Sequence, residues 1–511
     1  MSTIVRWLAN NVRFYGSRPA VVQHNQVWTW QEIAARAAGL GVGLGERGLE
    51  PGDRVAIVSD NHPAMLEAYY AAASSGTVMA PVSTRLHAKE LDRYFGGYLR
   101  PRAAIIGPGA PEALGSWIDD CELVVGLPGA ERQGVPYDEL LTEGAVLDLD
   151  RDPHLPFTIG QTSGTTGFPR GAEISQANAA SAIAVFVAEH PLQTGDAYLI
   201  QHPMSNVPGG PGQLFPLVKG ARTVLRPSFD PVGCLQTIEE ERITHTVLVP
   251  AMLRALLDLP DRETYDVSSL RSVVVGASPV PKPLLEEAVE VFGEVFVPMY
   301  GMTESVSVAT VLRRDDMYPV AEQAPSRLSS AGKPSAGVEL RVVDDEGHEV
   351  EADGSAIGEI QLRGGFVVDS YFGETEGGQG SWTDEGFFHT GDLATVDPDG
   401  FITIVDRLKD IVISGGTNVA SREVEEVLLT LPGIVDVAVI GTSHERWVEV
   451  VTAVVVRADE GPSTKEIDRY ARTQLSGPKI PRRIEVVDEL PRNAMGKVLK
   501  RQLRERFADR Q

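Results

Sequence analysis

The stretch QTSGTTGFPRGA, Gln161 to Ala172, does the most to decide the fold. It places Thr162, Ser163, Gly164, Thr165, Thr166 and Gly167 directly behind an apolar-leaning run, with Arg170 three residues further on. Glycines let backbone N–H groups turn inward toward an anion, and the neighbouring hydroxyls add donors that a triphosphate can accept. Arg170 adds positive charge. A five-residue piece of this string would describe an ordinary flexible turn, whereas the whole string describes a phosphate-holding loop. It is not a Walker loop, because no Gly-Lys-Ser/Thr follows at the required spacing.

Outward from this loop, short β-rich runs alternate with helical segments: RVAIVSDN from Arg54, AAIIGPG from Ala103, THTVLVPAML from Thr244 and LRSVVVGAS from Leu270. Most are near-continuously apolar, as strands buried on both faces by crossover helices must be, so mostly parallel sheets are expected. After about Arg407 the texture changes. SREVEEVLLTLPG puts Val424, Val427, Leu428 and Leu431 on one helical face behind Ser421 as N-cap, and the apolar runs GIVDVAVIG and EVVTAVVVR follow. The expected architecture is α/β: a large multi-subdomain N-terminal region over residues 1–406 and a small mobile α+β C-terminal domain over 407–511.

The chain has 511 residues, 42% hydrophobic and 23% charged, without an apolar run long enough to span a bilayer. Its opening, MSTIVRWLANNVRFYG, reads as an amphipathic helix rather than an export signal. Two distant cysteines, Cys121 and Cys234, suit a reducing cytoplasm, where the chain is expected to reside. A formal charge of -25 argues against a nucleic-acid or anionic-membrane partner.

From the phosphate loop onward the chain resembles the adenylate-forming (AMP-binding) superfamily of acyl-CoA synthetases, luciferases and peptide-synthetase adenylation domains, whose signature reads roughly TSGTTGxPKG. Similar blocks follow in the family's order: GASP at Gly276, VPMYGMTES at Val297, GEIQLRG at Gly358, HTGDL at His389, DRLKDIVISGGTNV at Asp406 and LPRNAMGKVLK at Leu490. The early LEPGDRVAIVSDN and GTVMAPVSTRL also match, so the resemblance runs nearly the full length.

That resemblance implies roles residue by residue. The loop Thr162–Gly167 and Arg170 would hold ATP phosphates, and Gly276, Ala277 and Ser278 would flank the adenine. The block Met299, Tyr300, Gly301, Met302, Thr303 and Glu304 would provide a ring to stack on the base, a hydroxyl for phosphate, and in Glu304 the Mg²⁺ ligand. A hard dication takes carboxylate and phosphate oxygens. Asp392 and Arg407 would bind the ribose and phosphate. Lys409 would be the hinge, and Lys497 would reach the substrate carboxylate and α-phosphate during adenylation. Gly415 and Gly416 would line the coenzyme A path. Ser205, Asn206, Gly209 and Met302 would shape the acyl pocket.

The implied chemistry is two displacements: a carboxylic acid attacks the ATP α-phosphorus and releases pyrophosphate, then coenzyme A takes the acyl group and releases AMP. No side-chain nucleophile is required, in keeping with ten scattered histidines and no Ser-His-Asp cluster. An acyl carrier protein or an amine is the alternative acceptor, and a nucleotide-binding protein that has lost catalysis is the third reading. A homodimer is left open. Asn206 stands where acyl-CoA synthetases commonly carry histidine, and it cannot supply the carboxylate that adenylation domains use for an α-amino group. Arg170 replaces the family's usual lysine and keeps its charge.

Overall fold

A computed structural model describes residues 3–130, 134–162, 169–190, 192–206, 210–318, 327–374, 380–414, 417–444, 447–492 and 497–508. The chain divides into two compact units. The first contains Met1–Gly164, Pro169–Glu339 and Leu362–Phe388; the second contains Leu340–Gln361 and His389–Gln511.

Two large sheets organise the first unit. One runs in the order Val135–Pro136, Leu123–Gly126, Ala103–Ile106, Arg54–Val58, Val78–Val82, Pro156–Gln161 and Gly171–Ser175, parallel except for the last pair. The other places Phe296–Tyr300, Ser272–Val275, His245–Leu248, Ala197–Ile200, Arg222–Leu225 and Pro19–Gln23 side by side and parallel, with short antiparallel strands at both edges. Every residue of Ser272–Val275 and of Ala103–Ile106 is buried, which explains their unbroken apolar or small composition: with side chains on both faces out of water, alternation with polar residues would strand polar groups inside. The mostly parallel α/β arrangement agrees with the sequence. So does the opening helix, Ile4–Tyr15, whose N-cap Thr3 accepts from the Arg6 amide.

Strands Val338–Val343, Gly358–Gly364, Phe388–Val396 and Ile402–Arg407, most of whose residues fall in the second unit, form a four-stranded sheet. The C-terminal part adds the long hairpin Ile434–His444 and Val448–Arg457, flanked by shorter strands, with helices Ser421–Leu429 and Thr464–Gln474 packed against it. Val424, Leu428, Val437, Val439, Val451, Val455 and Ile467 make its core, with Val427 and Leu431 at the margin. Burying each such side chain is worth roughly 1.5–3 kcal/mol.

The helix start differs from expectation by one residue. Ser421 is the first helical residue and Ala420 the N-cap, with no side-chain capping bond of its own. Asp406 does that work from 15 residues upstream, its Oδ2 accepting from the Ser421 amide at 2.5 Å and the Ser421 hydroxyl at 2.7 Å. A carboxylate at the positive end of a helix satisfies orphan N–H groups and favours the dipole, and an aliphatic N-cap leaves that place vacant. Among the described residues no helix is long and apolar enough to cross a membrane.

Candidate active site

The described ends of the string Gln161–Ala172 lie on two antiparallel strands, Pro156–Gln161 and Gly171–Ser175, with Gln161 opposite Gly171. Its base is pinned twice: the Thr162 amide donates to the Arg170 carbonyl at 2.9 Å, and the Arg170 amide donates to the Thr162 hydroxyl at 3.0 Å. Ser163, Gly164, Thr165, Thr166 and Gly167 lie outside the described residues. The Arg170 guanidinium stacks 3.7 Å from the centre of the Tyr371 ring and donates to the Ser381 hydroxyl.

Gly276, Ala277 and Ser278 follow the carboxyl end of strand Ser272–Val275, and Gly301 to Glu304 follow that of its parallel neighbour Phe296–Tyr300. Crevices beyond the carboxyl ends of parallel strands are where α/β folds bind ligands. Both turns are conformationally demanding. A Cβ on Gly276 would sit 2.6 Å from the Met299 carbonyl oxygen, and one on Gly301 would sit 2.3 Å from that of Ser307. Ala277 (φ 65°), Val306 (φ 44°) and Ser307 (φ 79°) occupy the left-handed region, which is costly for a β-branched valine in particular.

Glu304 emerges from this constrained turn. Its Oε1 accepts from the Tyr371 hydroxyl at 2.7 Å, and its carbonyl accepts from the Val368 amide at 2.8 Å. Burial and the facing Glu304 carboxylate push the Tyr371 phenol up from its ordinary value, so it remains a donor. Among the described residues no group of three or more His, Cys, Asp or Glu could hold a metal ion by itself. A lone carboxylate such as that of Glu304 would hold a cation only together with nucleotide oxygens and water, the usual arrangement for Mg²⁺. Tyr371 is absent from the sequence-derived site; the only signal was an aromatic beyond GEIQLRG, in SYFGET.

Ser205 is buried and lines a small cavity of mixed polar and apolar character with Asp60, Arg85, Gln201, Phe229 and Met252, whose lining residues do not include the Tyr300–Glu304 turn. Asn206 is half-buried, and its carbonyl accepts from the Gly210 amide. Gly209 lies outside the described residues.

The second unit gathers another set. Asp392 is 3% exposed and receives the Arg407 Nε at 2.8 Å. The strand residues before it are braced by Glu359, which accepts from the Gly391 amide at 2.9 Å and contacts His389 Nδ1 at 2.7 Å. Lys409 follows directly, its ammonium pushed down to about 8 by desolvation and then by Arg407. Arg504, on helix Lys500–Phe507, pairs with Asp410 at 2.7 Å. Lys497 immediately precedes Val498, which bridges Arg492 and packs against the core of that helix. Gly415 and Gly416 lie outside the described residues.

The chain belongs to the AMP-binding enzyme family: the family model "AMP-binding enzyme" matches residues 8–372, and "AMP-binding enzyme C-terminal domain" matches 423–497. It is 35% identical over 509 residues to a feruloyl-CoA synthase of an Amycolatopsis species, covering 98% of each chain. Among solved structures it resembles ATP-bound MatB from Rhodopseudomonas palustris, with TM-score 0.87, 29% identity and 99% of each chain covered. It also resembles the o-succinylbenzoate coenzyme A synthetase of Bacillus subtilis in complex with ATP and magnesium ion, with TM-score 0.83, 28% identity and 97% and 98% of the two chains covered.

Proposed function

We propose that this protein is an AMP-forming acid–thiol ligase: it converts a carboxylic acid and ATP into acyl-AMP and pyrophosphate, then transfers the acyl group to coenzyme A with loss of AMP. The observation that carries this reading is end-to-end similarity to a CoA-ester synthase, 98% of both chains, in a chain that retains Glu304, Asp392, Arg407 and Lys497.

In the first step a carboxylate oxygen attacks the α-phosphorus and the α–β phosphoanhydride bond breaks. Bound Mg²⁺ would neutralise phosphate charge, with Glu304 as its protein ligand. The loop from Thr162 to Gly167 and Arg170 hold the phosphates; Gly276, Ala277, Ser278 and the Met299–Thr303 block hold the base. Asp392 accepts from ribose hydroxyls and Arg407 donates to ribose or phosphate. Lys497 places an ammonium between the two reacting anions.

In the second step the coenzyme A sulfur attacks the acyl carbon, and AMP leaves with the bonding pair. Residues 407–511 turn about Lys409 relative to 1–406 between steps, bringing Gly415 and Gly416 to the thiol's path. Ser205, Asn206, Gly209 and Met302 shape the acid's pocket, and the acid carries no α-ammonium group that needs a carboxylate partner.

The test is a panel of aliphatic, aromatic and hydroxy acids assayed for pyrophosphate release with and without coenzyme A, with products read by mass. A coenzyme A thioester is expected. An adenylate that accumulates despite coenzyme A would instead favour a carrier protein or amine as acceptor, and no pyrophosphate from any acid would favour a protein that binds nucleotide without catalysis.

A further inference from the structure

The segment Val368–Phe372 is tied to two functional elements at once. Toward the phosphate-loop exit, Phe372 donates its amide to Gly171 at 2.8 Å, the Glu173 amide donates to the Ser370 carbonyl at 3.2 Å, and Tyr371 forms a backbone bridge with Ala172. Toward the Glu304 turn, the Val368 amide donates to the Glu304 carbonyl at 2.8 Å. Tyr371 repeats this double attachment in one side chain. Its hydroxyl donates to Glu304 Oε1 at 2.7 Å, and its ring face carries the Arg170 guanidinium at 3.7 Å. The ring is fully buried and meets Trp382, with centroids 5.5 Å apart, so it has little freedom to swing.

We propose that Tyr371 is a positioning residue for the metal–nucleotide complex, holding the Glu304 carboxylate through its hydroxyl and the phosphate-loop Arg170 through its ring, so that the two charges keep a fixed spacing. This rests on Glu304 being the metal ligand, as read above. A carboxylate with one oxygen occupied by a neutral donor presents the other in a defined direction, which is how outer hydrogen bonds orient metal ligands. A guanidinium on an aromatic face keeps its charge while losing rotational freedom, and such a contact is stronger when partly desolvated. The two halves are chemically separable, because phenylalanine keeps the ring and removes only the hydroxyl.

The experiment titrates ATP into wild type and Tyr371→Phe by calorimetry, once with excess Mn²⁺ and once with chelator, alongside Mn²⁺ paramagnetic resonance and thermal melting. Tyr371→Phe is expected to fold, to bind metal-free ATP as wild type does, and to bind Mn²⁺–ATP on the order of tenfold more weakly or worse. Ser370→Ala, which removes the neighbouring bond to Glu173 in the same segment, should leave both affinities unchanged. Arg170→Met tests the ring face and stands even if Tyr371→Phe fails to fold: it should weaken ATP with and without metal. Wild-type Mn²⁺–ATP affinity in a folded Tyr371→Phe, or unchanged ATP affinity in Arg170→Met, would overturn the proposal. Wild-type protein that binds no ATP would instead overturn the functional reading, and this inference with it.

Discussion

Asp392 and Arg407 are cross-strand partners, placed opposite each other by the register of strands Phe388–Val396 and Ile402–Arg407 and joined through Arg407 Nε at 2.8 Å. The carboxylate is buried while the guanidinium is about a third exposed, so one end of the pair is fixed and the other can reach a ligand.

Arg407→Ala takes the guanidinium from beside a buried carboxylate. We expect it to cost on the order of 1–3 kcal/mol of stability and to weaken ATP binding. Arg407→Lys should recover part of the stability but little of the nucleotide affinity, because an ammonium lacks the planar fork. Denaturant melts and ATP titrations of both variants check this; equal ATP affinity in all three proteins would remove Arg407 from the nucleotide site.

Lys497→Ala separates the two half-reactions. Loss of a charge aimed at the developing phosphate charge should slow acyl-AMP formation on the order of a hundredfold or more. Thioester formation from supplied acyl-AMP should stay near wild type, since that step does not need the lysine at the phosphorus. Rapid-quench measurement of each half-reaction decides it, and equal loss in both would place Lys497 in a single static arrangement.

Asn206→Ala should reorder the acids accepted while leaving the apparent affinity for ATP unchanged. The comparison is kcat/KM across the acid panel for both proteins. A uniform loss with collapsed ATP affinity would show that Asn206 does not line the acid's pocket.

Lys409 makes a pH prediction whose sign can be worked out. Its folded value is lowered from 10.5 to about 8, so between these values the folded state holds fewer protons than the unfolded chain. Stability therefore rises with pH across that window, and the penalty is fully present below about 8. Lys409→Met should be more stable than wild type at neutral pH and should lack the rise. Chemical denaturation on both sides of the window tests this, and parallel pH curves would refute it.

The parallel strands were legible because their burial on two faces leaves a mark in every residue, as in Ser272–Val275. The family resemblance at Gln161 to Ala172 was legible because glycines and hydroxyls concentrate in one short string. What could not be read were partnerships made by folding. Tyr371 meets Glu304 across 67 residues, and neither neighbourhood announces the other. Asp406 looked like part of a hinge motif, and Ser421 looked like its own helix cap. Only the turn of the chain between them shows that the carboxylate takes that role.

That bond from Asp406 to Ser421 bears on how this enzyme could be recombined with its relatives. A crossover at Lys409 would take Asp406 from one parent and the helix it caps from the other, and the Asp392–Arg407 pair would be inherited apart from the Asp410–Arg504 pair. A breakpoint upstream of His389 passes all three pairs on from a single parent. Hybrids joined there should tolerate more divergent parents than hybrids joined at Lys409.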